Sequence, residues 1–249
     1  MGERPPTAIN HHIRPAGDSA LSLEFGDEIT VATNEAVHTA DEAIREAALP
    51  GIIETIPTYR ALLVIFDPAA TDARCLADSM LAFASGARVV SRRERRRWFI
   101  PVCFGGEFGA DLEEVSARVG LPSGEVVRRH CETDYRVYMI GFSPGFAYLG
   151  GLPSGLSLPR RADPRLSTPA GSVMQGGDQA AISPLAMPSG WHLLGRTPVR
   201  TFDLRRTERP FLLAPADRVL FRAIDPDDYT RIAREAEANA SSPDIEPLP

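Results

Sequence analysis

Tyr135-Arg136-Val137-Tyr138-Met139-Ile140-Gly141-Phe142-Ser143-Pro144-Gly145-Phe146-Ala147-Tyr148-Leu149-Gly150-Gly151 marks the point where the chain changes texture. A short apolar segment, Val137 to Ile140, runs into a stretch carrying glycine at 141, 145, 150 and 151, proline at 144 and aromatic rings at 142, 146 and 148. Beyond it the apolar pieces stay short and are punctuated by glycine and proline: Ser172 to Met174, Ala180 to Ile182, His192 to Leu194, Phe211 to Ala214 and Val219 to Ala223. That texture predicts a β-barrel or sandwich. Gly141 to Gly151 itself reads as a loop whose backbone can approach a ligand closely, with Phe142, Phe146 and Tyr148 as pocket walls. The plain alternative is a barrel corner.

Upstream the pattern differs. Leu21, Leu23 and Phe25 alternate with polar residues before Gly26, which predicts a half-buried strand. Val37, Ala40, Ile44 and Ala47 recur at helical spacing until Pro50 and Gly51 stop the helix. Ile52 to Ile56 and Ala61 to Phe66 read as a hairpin, and Asp72 as the cap of a second helix that presents Leu76, Met80 and Phe83 and ends near Gly86. Strand, helix, strand, strand, helix predicts a small α+β layer over residues 1–90. Ser91 to Arg97 holds five arginines and one glutamate, and residues 91–99 read as a linker. Nucleic-acid binding is the less favoured reading of that run, given 33 acidic residues against 27 basic ones and a net charge of −6. Two helices follow, Asp111 to Val119 and Ser123 to about His130. They resemble a helix-turn-helix in spacing but lack base-reading side chains, so packing explains them better. The second domain spans 100–234, and residues 235–249, small, acidic and proline-containing, are expected to be disordered.

Every one of the 27 basic side chains is arginine, because the sequence contains no lysine. This excludes Schiff-base chemistry and a completed phosphate loop in this chain, and leaves guanidinium as the cation for any anionic ligand. Cys75, Cys103 and Cys131 form no pair at metal spacing and read as packed thiols, and there is no metal motif. The longest apolar run, Ala61 to Phe66, is too short to span a bilayer, and the start lacks the apolar stretch of a signal peptide. A cytoplasmic, non-membrane protein is therefore expected.

Three more patches carry candidate chemistry. Pro159 to Arg165 offers Arg160, Arg161 and Arg165 on a proline-stiffened backbone, either as an anion clamp or as a charge cluster paired to Asp163. Ser172 and Gln179 add a hydroxyl and an amide beside flexible backbone, without the surroundings of a nucleophile. Pro188 to Pro198 contributes Trp191, a wall or a core ring, and Arg196. His130, closing its helix ahead of the glycine-rich stretch, reads equally as a general base or as a helix C-terminal cap.

Together these motifs resemble the family that contains the B component of bacterial ATP-dependent 5-oxoprolinase, the Kip-type histidine-kinase inhibitor and allophanate hydrolase subunit 1, built on carboxyltransferase subdomains C and D. The resemblance runs from about Ile100 to Arg222. It rests on Ile100-Pro101-Val102-Cys103-Phe104-Gly105-Gly106, Gly109-Ala110-Asp111-Leu112, His130, Gly141-Phe142-Ser143-Pro144-Gly145-Phe146, Pro159-Arg160, Pro169-Ala170-Gly171-Ser172-Val173, Gly190-Trp191 and Gly195-Arg196-Thr197-Pro198. The chain departs from the family where Ile182-Ser183-Pro184 replaces Ile-Tyr-Pro and where Pro188-Ser189-Gly190-Trp191 replaces Pro-Gly-Gly-Trp.

The resemblance implies a ferredoxin-like N-terminal domain followed by a cyclophilin-like β-barrel. It implies two partners of the 5-oxoprolinase, a second barrel protein of the allophanate hydrolase subunit 2 type, its C component, and a third protein, its A component. ATP is the implied co-substrate, bound with or on a partner. The implied reaction opens the 5-oxoproline lactam to L-glutamate. In that reading His130 is the base; Arg160, Arg165 and Arg196 clamp charge; Gly141 and Gly145 supply backbone donors; and Phe142, Phe146, Tyr148, Ser172, Gln179 and Trp191 line the substrate. The competing implications are a regulator that binds a sensor histidine kinase and a subunit of an allophanate or urea-type system.

Overall fold

A computed structural model describes residues 10–86, 95–239 and 245–247. The chain divides into two compact units, Met1–Arg93 and Glu94–Pro249.

The first unit is an antiparallel four-stranded sheet with two helices. Its strands are β1 (His11–Pro15), β2 (Ala20–Phe25), β3 (Ile52–Pro57) and β4 (Ala61–Phe66), in the order β1-β2-β4-β3. Helix α1 (Val31–Ala47) starts where the Thr30 hydroxyl accepts from the Thr33 amide at 3.0 Å, and α2 (Ala73–Gly86) where the Asp72 carboxylate accepts from the Arg74 and Cys75 amides. Leu23, Phe25, Leu62, Val64, Val37, Ile44, Leu76 and Met80 make one core between the sheet and the two helices. β1 was hidden in the sequence because it is an edge strand, exposed at most of its positions.

The second unit is built around a barrel. Among the described residues, seven strands close on themselves in the order β12-β9-β10-β7-β6-β13-β5, with β12 pairing back to β5. They are β5 (Arg96–Phe104), β6 (Tyr135–Ile140), β7 (Ala147–Gly150), β9 (Ser172–Gly176), β10 (Gln179–Ile182), β12 (His192–Arg196) and β13 (Arg218–Ala223). Alternation sends Ile100, Val102, Tyr135, Val137, Leu149, Val173, Ile182 and Phe221 inward to a single packed core. The pairs in the ring are antiparallel except β13 with β5, which run parallel. A ribbon of β8 (Arg165–Thr168) and β11 (Met187–Ser189) lies outside the ring. Helices α3 (Leu112–Val119) and α4 (Ser123–Glu132) pack Val115 and Val126 against Leu156, Leu158 and Leu194, so the helix pair is used for packing.

Several expectations are corrected. Ala147 to Gly150, read as loop, is strand β7: Ala147 and Leu149 face inward, and the surrounding glycines masked this two-residue period. Phe211 to Ala214 forms no strand. Leu212 and Leu213 are both buried, but the segment makes no strand ladder, and its turn is held by the Asp217 carboxylate, which accepts from the Ala214 amide and the Trp98 indole. The expected linker 91–99 is too long, since β5 begins at Arg96; residues 91–94 lie outside the described residues. The expected disordered tail also begins too early. Helix α5 (Pro226–Asn239) runs through Glu235, started by the Asp225 carboxylate accepting from the Asp228 amide and favoured by Asp227 and Asp228 in its first turn. β14 (Ile245–Pro247) pairs antiparallel with the first residues of β5. Of the thiols, Cys103 is buried but Cys75 is exposed.

Candidate functional site

The outer face of β7, β10, β9 and β12 gathers one group of the expected residues. Tyr148 stands opposite Ala181, and the strand period puts Gln179 and Met174 on the same side, away from the barrel core. Phe146 and Tyr148 lie 4.7 Å apart, Tyr148 and Trp191 6.1 Å, and Phe146 and Trp191 6.5 Å, all tilted or edge-on. Phe142 continues the cluster at 5.8 Å from Phe146, but with 73% of its surface exposed. Burial pushes the Tyr148 phenol above its ordinary pKa, with the positive charge of Arg160 pulling the other way.

Local chain geometry builds this face. The turn after β6 is closed by the Phe146 amide donating to Ser143 C=O and the Gly141 amide donating to Phe146 C=O, both at 3.1 Å. Gly145 sits at φ +80°, with a would-be Cβ 2.7 Å from Phe202, so both its conformation and its space require glycine. Gly176 lets the Trp191 ring lie against the strand, since a Cβ there would meet the indole at 3.0 Å. The Ser189 hydroxyl accepts from the Trp191 amide at 3.1 Å.

Arg160 lies 5.4 Å from the Trp191 ring centre and is exposed. Its position follows from two anchors either side. His192 Nε2 donates to Pro159 C=O at 3.0 Å, and the Arg161 amide donates to Gly190 C=O at 2.7 Å. His192 is fully buried and was missed in the sequence; its place beside Trp191 in an apolar strand was the available signal.

Other expected site residues lie elsewhere. Arg165 is not a free clamp. Its guanidinium makes two bonds, 2.8 and 2.6 Å, to Asp111, which also takes Arg161 at 3.0 Å and the Leu193 amide at 2.7 Å. Burial pushes the Asp111 carboxyl up, but these donors and charges outweigh it and hold the group below its ordinary value. The cluster's partner is therefore Asp111, not Asp163, and its work is to tie the start of α3 to the Arg161–Arg165 segment.

Ser172 is buried and its hydroxyl is used on Pro169 C=O at 2.6 Å, so it does not line the face.

His130 is not placed as a general base. It is a fully buried residue of α4, with Nδ1 taking the Tyr135 hydroxyl at 2.7 Å and Nε2 donating to Gln175 at 3.0 Å; Gln175 in turn donates to Leu156 C=O at 2.8 Å. Burial lowers its pKa to about 4. Both nitrogens are engaged inside the core, away from any open surface.

Arg196, at the far end of β12, belongs to a separate cleft. Five residues at ~3.3 Å each put it about 16 Å from Trp191. It stacks over Tyr229 of α5 at 5.6 Å. Among the described residues no group of three or more His, Cys, Asp and Glu side chains is arranged to hold a metal, and no helix is long and apolar enough to cross a membrane.

A two-unit α/β protein with a closed barrel and an aromatic, arginine-topped outer face is the class that fold and site define. The chain belongs to the carboxyltransferase domain, subdomain C and D family, whose model matches residues 11–213. It is 39% identical over 238 residues to the B component of the 5-oxoprolinase of Bacillus subtilis, covering 92% of this chain and 99% of the relative. The crystal structure of TTHA0988 shares 35% identity with a TM-score of 0.73, covering 86% of this chain; the match spans 40% of that longer chain. The urea carboxylase of Kluyveromyces lactis, 18% identical, aligns with a TM-score of 0.82 over 100% of this chain and 25% of its own, which shows a shared fold.

Proposed function

We propose that this chain is the B component of an ATP-dependent 5-oxoprolinase, non-autonomous by itself and working with partner proteins in opening the 5-oxoproline lactam to L-glutamate. The observation that carries this reading is 39% identity extending over 99% of the length of a relative named as the B component of 5-oxoprolinase. The missing lysine supports an ATP site on a partner, because no phosphate loop can be completed here. In this reading the protein works in the cytoplasm, its N-terminal unit is ferredoxin-like with β1 filling the fourth strand position, and its barrel is cyclophilin-like.

The lactam is a poor electrophile, and phosphoryl transfer from ATP to its oxygen supplies the activation. What this chain contributes is placement. The flat ring of 5-oxoproline lies against Tyr148 and Trp191, its carboxylate pairs with Arg160, and Gln179 offers an amide at the edge of the same face. Phe142, exposed at the rim, is the contact for the second barrel protein, which closes the face from water.

Reconstitution tests this. A mixture of the partner proteins with this chain should release glutamate and phosphate from 5-oxoproline and ATP. Equal release from the partners alone would sink the reading.

A further inference from the structure

We infer a second ligand site on this chain: the cleft between the end of β12 and α5 binds a small monocarboxylate carried on a flat apolar body. The cleft measures about 370 Å³, and Arg196, Arg200, Tyr229, Glu237, Leu185 and Phe202 are among the residues that line it. That volume falls within the range of small-molecule pockets, roughly 300–1,000 Å³.

Charge selects the ligand. Arg196 stacks on the Tyr229 ring, yet its Nε is buried without a hydrogen-bond partner. That buried nitrogen is out of a ligand's reach, and the terminal N–H groups of the same guanidinium are the donors left to meet an incoming oxyanion in the cleft. Arg200 faces Glu237 at 3.7 Å, a long contact between largely exposed groups. Two guanidiniums and one carboxylate leave the lining one positive charge in excess, which a monoanion neutralises and a dianion overshoots.

Shape selects the body. Tyr229, Phe202 and Leu185 line the cleft with two rings and an alkyl group. The wall is also fixed in place. Arg205, held on Asp203 at 2.6 Å, donates to the Ala236 and Glu237 carbonyls at the end of α5, at 2.8 and 2.6 Å. Arg206 donates to Arg200 C=O at 2.6 Å. The cleft thus stands before any ligand arrives, which lowers the ordering cost of binding.

The site lies apart from the Arg160 face and needs neither turnover nor a partner protein, so it stands or falls separately from the proposed function. The test is titration of the full-length chain by NMR and calorimetry with benzoate, with benzyl alcohol as the neutral isostere and with inorganic phosphate. Benzoate should bind with a Kd of about 1 mM, and benzyl alcohol at least tenfold more weakly. Read at the cleft, through the shifts of Tyr229 and Phe202, Arg196→Gln should weaken benzoate at least tenfold and Tyr229→Leu, followed through Phe202, about threefold, with spectra showing that both variants stay folded, while Arg160→Gln should leave binding at the cleft within twofold. Unchanged binding in a folded Arg196→Gln variant overturns the inference. So does loss of binding in Arg160→Gln, or phosphate binding more tightly than benzoate.

Discussion

His130 shows how burial decides a residue's role. An exposed imidazole has a pKa of 6.5, and here burial lowers it to about 4, so the ring is neutral near pH 7 and accepts the Tyr135 hydroxyl while donating to Gln175. The folded value lies below the unfolded one. The stability tied to the neutral ring is therefore fully present above pH 6.5 and is lost progressively as pH falls toward 4, by about 3 kcal/mol in all. Urea midpoints at pH 7, 5.5 and 4.5 should fall along that window, and His130→Gln should be less stable at pH 7 but lose much of that fall. A slope unchanged in the variant would assign the acid lability to other groups. The sequence showed a histidine at the end of a helix; it could not show that Gln175, 45 residues away, would complete a closed polar chain. Trp191 was more legible, because Gly176, which leaves room for its ring, and Arg160 both lie in motifs visible in the sequence.

At the scale of elements, Asp111 is the residue on which the site's geometry depends. Four hydrogen bonds from Arg161, Arg165 and Leu193 converge on a carboxylate whose side chain is 3% exposed, which fixes α3, β12 and the arginine segment together. Asp111→Ala should destabilise the chain by about 3 kcal/mol, since it leaves the partly buried Arg165 without its carboxylate and Arg161 with the more exposed Glu114 alone. Calorimetric melting measures this, and a loss below about 1 kcal/mol would show that the clamp carries little. Asp111 was visible in the sequence only as a helix start, for its partners lie 50 and 54 residues further on. Elements with a clean period, such as α1 and the hairpin of β3 and β4, were legible. β1, β7 and α5 were not, because an exposed edge, dense glycine and a mostly polar helix surface conceal the period. The break at Leu212 and Leu213 depends on Asp217, whose bond to Trp98 joins residues 119 positions apart.

At the scale of the molecule, two kinds of signal answered different questions. The lysine-free composition and the punctuated apolar segments pointed to a barrel without its own phosphate loop, and the ordered motifs from Ile100 to Arg222 pointed to the family. Neither separated the arginines by role. The fold does: Arg165 is spent on Asp111, Arg160 tops the Trp191 face, and Arg196 stands in the α5 cleft about 16 Å away along β12. The central claim is that the Arg160 face, and not His130, meets the substrate. Its most direct test is steady-state kinetics of the reconstituted complex with 5-oxoproline as the varied substrate. Arg160→Gln should raise KM about tenfold with kcat within twofold, and His130→Gln, where it stays folded, should leave the pH dependence of kcat unchanged. An unchanged KM in Arg160→Gln, together with loss of the acidic limb of the kcat profile in His130→Gln, would contradict it.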